Sequence, residues 1–124
     1  YVDTFYIENA TLNDIFIAQK SVDTIEQITF FRVEPYDRLS VSQVLYHENT
    51  VHHYRSFPIS AEFILKIDGV DYIINDSTDI GSEILEYDNY EKNEKLYKWN
   101  DFYDTYEKAF IFSITDEYVA SLKK

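Results

Sequence analysis

The segment FILKIDGVDYIIN, residues 63–75, constrains the fold more than any other stretch of the sequence. Asp68-Gly69 separates two runs of β-favouring residues, and this pair favours a two-residue type I′ turn because both central positions of that turn need positive φ. The turn fixes the pairing of the two strands and places Lys66 opposite Asp71 as an oppositely charged pair. One face of the hairpin then carries six apolar residues that we expect to face a core: Phe63, Leu65, Ile67, Val70, Tyr72 and Ile74.

Six further segments have the composition or the alternation of strands. They are residues 2–8, 15–18, 27–33, 39–47, 51–57 and 109–114. Short strands spaced by roughly 8–12 residues are typical of an antiparallel sandwich or barrel. A length of 124 residues suits one domain with its own core. The sequence therefore predicts a single mainly β domain over residues 1–124, an antiparallel β-sandwich.

Two stretches near the C-terminus carry helix signals. Asn100 is a suitable N-cap, and it lies within a set of aromatic residues at helical spacing: Trp99, Phe102, Tyr103, Tyr106 and Phe110. Thr115 is a candidate start for a second helix, with Tyr118 and Leu122 on one side. Residues 76–98 show no clear period, so we expect a long loop there.

The chain has a formal net charge of −12, and much of it lies in residues 68–107, where twelve acidic residues outnumber three lysines. This balance argues against nucleic acid and anionic membranes as partners, since both would repel the chain. No apolar run approaches the roughly 20 residues that a spanning helix needs, so we expect no membrane insertion of this segment. An acidic surface suits a basic partner, such as a nuclease toxin that an intracellular inhibitor or immunity-type protein neutralises.

Eight aromatic rings lie among the charged residues of segment 85–110, and they divide into two groups. The helical spacing from Trp99 to Phe110 favours packing against a sheet, because rings bury large apolar areas. Tyr87, Tyr90 and Tyr97 lie in the acidic loop without such spacing. Exposed rings beside carboxylates supply stacking area and hydrogen-bond acceptors, so we predict that these three tyrosines bind a protein or a glycan. The alternative is that they hold the loop against the domain.

Two clusters have the residue types of metal sites. His47 and His52 would be cross-strand neighbours if residues 48–51 formed a four-residue hairpin loop, and Glu48 would supply a third ligand. The alternative is an exposed edge hairpin whose imidazoles only titrate. A second cluster has enough carboxylate oxygen for calcium, although its spacing differs from that of an EF-hand loop. Its members are Asp76, Asp79 and Glu83. We predict neither a metal nor a cofactor.

Catalytic motifs are absent from the sequence. It contains no G-x-S-x-G, no P-loop, no G-x-G-x-x-G and no H-E-x-x-H, and it has no cysteine that could act as a nucleophile. Carboxylate pairs must occur by chance among 23 acidic residues, so none can be singled out as a glycosidase pair. We predict that the chain is not an enzyme.

Three segments resemble small secreted lipoproteins of Bacteroidetes type, a largely uncharacterised family. They are YIENATLNDIFIAQ, FFRVEPYDRLSV and AFIFSITDEYV. Such proteins begin with a strand, an N-x-T turn and a second strand, followed by a proline-containing turn, and the third segment resembles their closing strand. The resemblance implies an exported immunoglobulin-like sandwich, tethered by a lipidated cysteine upstream of Tyr1. Richness in Ile, Asn, Lys, Tyr and Phe agrees with an AT-rich bacterial genome.

We therefore expect a non-enzymatic binding module at a cell surface, extracytoplasmic and lipid-anchored upstream of residue 1. Its ligand would be a protein or a glycan held by Tyr87, Tyr90 and Tyr97. The alternative is the intracellular acidic inhibitor of a basic partner.

Overall fold

A computed structural model describes residues 1–19, 30–54, 62–75 and 87–122. The strands are β1 (Val2–Asn9), β2 (Ile15–Gln19), β3 (Phe31–Val33), β4 (Arg38–His47), β5 (Thr50–Tyr54), β6 (Glu62–Ile67), β7 (Val70–Asn75), β8 (Glu91–Asn100) and β9 (Thr105–Ile114). A short 3₁₀ turn (Tyr87–Asn89) precedes β8, and one helix, α1 (Asp116–Leu122), follows β9.

The strands form two sheets. The first sheet has the order β5-β4-β1-β9-β8, and the second has the order β3-β2-β6-β7. Among the described strands, all pairings are antiparallel except that of β1 with β9, which run parallel in the middle of the first sheet. The predicted antiparallel architecture therefore contains one parallel pair, which brings the first and last strands together.

Side chains from both sheets meet in one hydrophobic core, so the architecture is sandwich-like. The first sheet contributes Phe5, Ile7, Val41, Val44, Phe112 and Ile114. The second sheet contributes Ile15, Ile17, Val33, Leu65, Ile67 and Ile74. The helix α1 adds Tyr118 and Val119 to the same cluster. Each fully buried aliphatic side chain contributes about 1.5–3 kcal/mol relative to an exposed one. The mainly β, sandwich-like fold predicted from the sequence is confirmed.

The hairpin of β6 and β7 has the predicted register. Asp68 and Gly69 both have positive φ, 52° and 77°, as a type I′ turn requires. Lys66 lies opposite Asp71, and the Lys66 ammonium nitrogen is 3.8 Å from the Asp71 carboxylate. The turn chemistry alone was therefore sufficient to align these two strands.

The inner face of this hairpin is confirmed for four of its six predicted residues. Leu65, Ile67 and Ile74 are buried, and Tyr72 packs against them. Val70 is 50% exposed, so its predicted burial is wrong; it directly follows the turn, at the outer end of the hairpin. The side chain of Phe63 lies outside the described part of the chain.

The other strand predictions hold where the structure describes them. Segments 2–8, 15–18, 39–47 and 109–114 fall within observed strands. The structure describes only residues 30–33 of segment 27–33, and these include β3. It describes only residues 51–54 of segment 51–57, and these form most of β5. The helix predicted from Thr115 is confirmed as α1, and the Thr115 hydroxyl oxygen accepts the Tyr118 N–H at 3.2 Å.

The helix predicted after Asn100 is wrong, because this segment forms the strands β8 and β9 joined by a turn at residues 101–104. The Asn100 side chain does cap, since its Oδ1 accepts the Tyr103 N–H at 3.0 Å. The chain then reverses at Asp104, whose φ is 52°. The loop predicted for residues 76–98 is wrong from Glu91 onward, and residues 76–86 lie outside the described ranges.

The N-x-T sequence at the end of β1 forms a fully bonded turn. Asn9 is buried, and its amide nitrogen donates to the carbonyl oxygens of Asn13 at 2.6 Å and Val33 at 2.9 Å. Its amide oxygen accepts the N–H and the hydroxyl of Thr11. Because Val33 belongs to β3, this one side chain links the two sheets.

Candidate ligand-binding site

Five half-exposed residues form a row across the first sheet. The strands β5, β4, β9 and β8 each contribute one of them, and the fifth lies directly before β1. We call this set the aromatic row: Val51, Tyr46, Tyr1, Tyr106 and Trp99. Their exposed fractions lie between 37% and 52%. An apolar row of this kind is unusual, because side chains on the core side of a sheet are normally covered.

The register of the sheet creates the aromatic row. Tyr46 pairs with Val51, and Tyr106 pairs with Trp99. Tyr1 precedes β1 and exchanges two backbone hydrogen bonds with Tyr46, of 3.1 and 2.9 Å. Because Val2 lies beside Glu107 in the parallel pair, the same register places Tyr1 next to Tyr106.

The rings of the aromatic row rest on one another. Tyr1 stacks on Tyr46 with centroids 4.7 Å apart and an interplanar angle of 26°. Trp99 meets Tyr106 edge-on at 4.9 Å. Tyr97, on the same side of β8 as Trp99, stacks on Tyr106 at 5.0 Å with an angle of 9°. Such contacts hold the rings in fixed orientations.

The aromatic row continues the apolar side of the first sheet beyond the buried core. Side chains alternate along a strand, so Tyr1 shares its side of β1 with Phe5 and Ile7. By the same rule Tyr106 shares its side of β9 with Phe112. Phe5, Ile7 and Phe112 are buried against the second sheet, whereas the row is half-exposed.

Two charged residues lie between the aromatic row and the core. Asp3 pairs with Lys108 in the register of β1 and β9, and the Lys108 ammonium lies 4.0 Å from the centroid of the Tyr1 ring. Asp3 is only 9% exposed, and its Oδ1 has no hydrogen-bond partner among the residues that the structure describes. Burial raises the pKa of Asp3, while the positive charge of Lys108 opposes that rise. Burial and the nearby Asp3 charge raise the pKa of Tyr46.

A cleft of about 390 Å³ opens at the β8 end of the aromatic row. It is lined by Lys92, Glu94, Tyr97 and Lys108. The Lys92 ammonium lies 3.8 Å from the Glu94 carboxylate, and both side chains are exposed. The cleft therefore offers hydrogen-bond donors and acceptors next to an aromatic ring.

A second polar cluster lies on the opposite side of the first sheet. Glu107 is buried and accepts hydrogen bonds from the Tyr6 hydroxyl at 3.1 Å and the Asn100 amide at 2.9 Å. Burial and the Glu107 carboxylate raise the pKa of Tyr6 to about 12. These groups bond to one another, so the cluster holds β1, β8 and β9 together rather than offering open polar atoms.

The three predicted ligand-binding tyrosines have different positions. Tyr97 is 48% exposed and lies at the cleft beside the aromatic row. Tyr90 is 4% exposed and packs against Phe5 and Phe112 at centroid distances of 5.7 and 5.5 Å. The expectation of an exposed Tyr90 ring is therefore wrong. The side chain of Tyr87 lies outside what the structure describes.

Sequence reasoning missed the main ring group. The spacing of Trp99 and Tyr106 predicts that they pack on a sheet as part of a helix, and no sequence pattern points to Tyr1 or Tyr46. The expected burial is also wrong for Phe102, which is 88% exposed at the turn. A signal was present in Tyr97-Lys98-Trp99, where aromatic and charged residues alternate with the period of a strand.

His47 and His52 are not cross-strand partners. His47 pairs with Thr50 and His52 pairs with Leu45, because the turn between β4 and β5 contains two residues, Glu48 and Asn49, rather than four. Among the described residues, no group of three histidine, cysteine or acidic side chains is placed to hold a metal ion. The candidate calcium ligands Asp76, Asp79 and Glu83 lie outside these residues. Within the described ranges, no helix is both long enough and apolar enough to cross a bilayer.

Comparisons with known proteins found no matching family model, no matching curated protein and no matching solved structure. The geometry of the aromatic row and its cleft is therefore the basis for a functional proposal.

Proposed function

We propose that the chain is a non-enzymatic binding module whose ligand, a protein or a glycan, contacts the aromatic row. The observation that carries the proposal is the half-exposure of five apolar side chains in line, four of them aromatic. Contiguous exposed apolar surface with a polar rim is typical of interaction sites. Tyr and Trp are the side chains that most often dominate binding energy, because each buries a large rigid area.

The proposal includes a position at a bacterial cell surface, with a lipid anchor upstream of residue 1. The three segments that resemble secreted lipoproteins support this position. One of them contains the N-x-T turn at Asn9 and Thr11, whose hydrogen bonds join the two sheets. The segment that contains this turn therefore also has a structural role, because its hydrogen bonds connect the two sheets.

The proposed function is tested by replacing one ring of the aromatic row. Wild-type protein and Trp99→Ala are applied to a glycan array and to an array of extracellular proteins. Loss of a central aromatic contact typically lowers affinity about tenfold or more. We expect that loss for whichever probe the wild type binds, with little change in melting temperature, since Trp99 is 47% exposed.

Phe31→Ala is the matched control, because Phe31 is also an aromatic residue with 46% exposure but lies on the second sheet. It should bind like the wild type. Undiminished binding by Trp99→Ala, or no binding of the wild type to either array, would contradict the proposed function.

A second candidate, an inhibitor of a basic protein, is favoured by the distribution of acidic side chains. Among the described residues of segment 68–107, seven acidic residues are exposed: Asp68, Asp71, Asp88, Glu91, Glu94, Asp101 and Asp104. Five of them lie on or next to the β8–β9 hairpin. Such a surface would attract a basic nuclease over a distance and speed its association.

A further inference from the structure

We infer that the ligand of the aromatic row is a neutral glycan, which lies across the strands of the first sheet with polar groups in the cleft beside Tyr97. This inference rests on the proposed binding function and narrows its ligand class. The shape of the row, the polar groups beside it and the charge of the chain all favour such a ligand.

The shape of the aromatic row suits an extended chain. The row crosses five strands, and since neighbouring strands lie about 4.8 Å apart, its length is about 19 Å. On its core side the row is bordered by Asp3 and Val44, both at least nine-tenths buried, and by Lys108. At the β8 end, Tyr97 widens the row by one ring. A stable protein interface usually involves about 20–30 residues on each side. A long and narrow track favours a linear polymer over a protein surface.

The chemistry of the site matches the two surfaces of a sugar. A pyranose ring presents C–H groups on its faces and hydroxyl groups around its edge. The half-exposed rings of Tyr46, Tyr97 and Trp99 can pack against the C–H faces. The Tyr1 ring already contacts Tyr46 and the Lys108 ammonium. At the end of the row, Lys92 and Lys108 can donate to hydroxyl oxygens, and the Glu94 carboxylate can accept from hydroxyl groups.

The charges at the cleft and of the whole chain favour a neutral ligand over an ionised one. The cleft and its border hold two lysines, Lys92 and Lys108, and two acids, Glu94 and Asp3, so the local charges balance. A polyanionic glycan would be repelled by the net charge of −12. A cationic ligand would compete with Lys108, whose ammonium already occupies the face of the Tyr1 ring at 4.0 Å.

The aromatic rings at this site are already held in place before a ligand binds. Tyr97 and Tyr1 are each stacked on a neighbouring tyrosine, and Trp99 is held edge-on against Tyr106. Side chains that are already ordered lose little conformational freedom when a ligand binds. A glycan is flexible and strongly hydrated, so its own ordering and dehydration oppose binding, and a site that is already ordered adds little further cost.

The test measures binding by isothermal titration calorimetry with soluble linear glucan, mannan and xylan oligosaccharides of increasing length, and with polygalacturonate as an anionic probe. We expect binding to at least one neutral oligosaccharide and none to polygalacturonate. Affinity should rise with length until the oligosaccharide covers the aromatic row. Trp99→Ala should lower it about tenfold or more, Trp99→Phe should lower it less, and Glu94→Gln should lower it without changing the melting temperature.

Three outcomes would overturn the inference. Binding only to polygalacturonate would show that the ligand is anionic. Trp99-dependent binding to an extracellular protein, with no oligosaccharide bound, would reject the glycan and leave the proposed function intact. Concentration-dependent dimerisation in sedimentation velocity, abolished by Trp99→Ala, would assign the row to a second copy of the chain. Phe31→Ala should behave like the wild type in every assay.

Discussion

Asp3 is a buried carboxylate in a position where burial is costly. It is 9% exposed, its Oδ1 has no partner among the described residues, and burial raises its pKa above the usual 3.8. An unpaired buried polar atom lowers the free energy of unfolding. Its charge lies beside Lys108, which covers the Tyr1 ring. Asp3 is therefore placed to position Lys108 over Tyr1, at the middle of the aromatic row, at some expense of stability.

The raised pKa of Asp3 predicts how stability changes with pH. The folded state holds the Asp3 proton to a higher pH than the unfolded state does. The contribution of protonated Asp3 to the free energy of unfolding is therefore fully present below pH 3.8, and it is lost as the pH rises through the pKa of the folded state. The Asp3→Asn variant has no carboxyl group to ionise at this position, so it does not lose stability in this way as the pH rises. We expect the melting temperature of Asp3→Asn, relative to wild type, to increase from below pH 3.8 to neutral pH.

The control for this prediction is Asp101→Asn, an exposed residue in the turn between β8 and β9. Its melting temperature relative to wild type should change little over the same range, since surface substitutions usually alter stability by less than about 0.5 kcal/mol. A difference between Asp3→Asn and wild type that is independent of pH would show that the carboxylate titrates normally.

The β8–β9 hairpin is held at two places by residues that are not part of the aromatic row. Tyr90, just before β8, is buried between Phe5 and Phe112. At the other end of β8, the Asn100 side chain bonds both Tyr103 in the turn and Glu107 in β9. These contacts fix the hairpin and leave Tyr97 and Trp99 half-exposed.

The two tyrosines of this hairpin should respond differently to truncation. Tyr90→Ala removes a ring that is 96% buried and leaves a cavity, so we expect a loss of about 3–5 kcal/mol in the free energy of unfolding, measured by urea denaturation. Tyr97→Ala removes a half-exposed ring and should cost about 1 kcal/mol or less. Tyr90→Phe keeps the ring and should lose much less stability than Tyr90→Ala. Equal losses for Tyr90→Ala and Tyr97→Ala would mean that the hairpin is not held as described.

Sequence reasoning succeeded where local chemistry decides the structure. Asp68-Gly69 requires one turn type, and that turn determines the pairing of β6 with β7. The start of α1 is similarly local, because the Thr115 hydroxyl caps it. Both features follow from residues that are neighbours in the sequence.

Sequence reasoning failed where the same local signal fits two structures. The Asn100 side chain accepts the N–H of Tyr103 in a turn, and a helix N-cap would make the same kind of hydrogen bond. Asn100 therefore fits both a turn and the start of a helix. β8 is rich in Lys and Glu, which are poor strand formers but suit an edge strand, since charge there prevents pairing with other chains. The aromatic row depends on Tyr1 and Tyr106, which only the parallel pairing of β1 with β9 brings together.

At the scale of the whole molecule, the net charge of −12 separates the two candidate functions. An inhibitor that captures a basic nuclease through its acidic surface depends on long-range attraction, which salt screens. A neutral glycan has no charge to screen, so its binding depends on ring contacts and hydrogen bonds.

Salt titration should therefore give opposite results for the two functions. Raising the salt from about 0.1 M to 1 M shortens the screening length from about 10 Å to about 3 Å. We expect less than about a twofold change in affinity for a neutral oligosaccharide over this range, because the ligand carries no charge. A panel of basic nucleases, tested by surface plasmon resonance, should show no tight complex. A tight complex that weakens about tenfold or more with salt would favour the inhibitor instead.

The parallel pairing of β1 with β9 has a consequence for synthesis of the chain. Partners such as Glu8 and Ser113 lie 105 positions apart, so the first sheet can close only after residue 114 has left the ribosome. At translation rates of about 5–20 residues per second, β1 waits roughly 5–20 s for its neighbour. During that interval its apolar side chains need a temporary cover, and a chaperone that binds nascent strands would supply it. The first sheet is thus completed only after β9 has been synthesised.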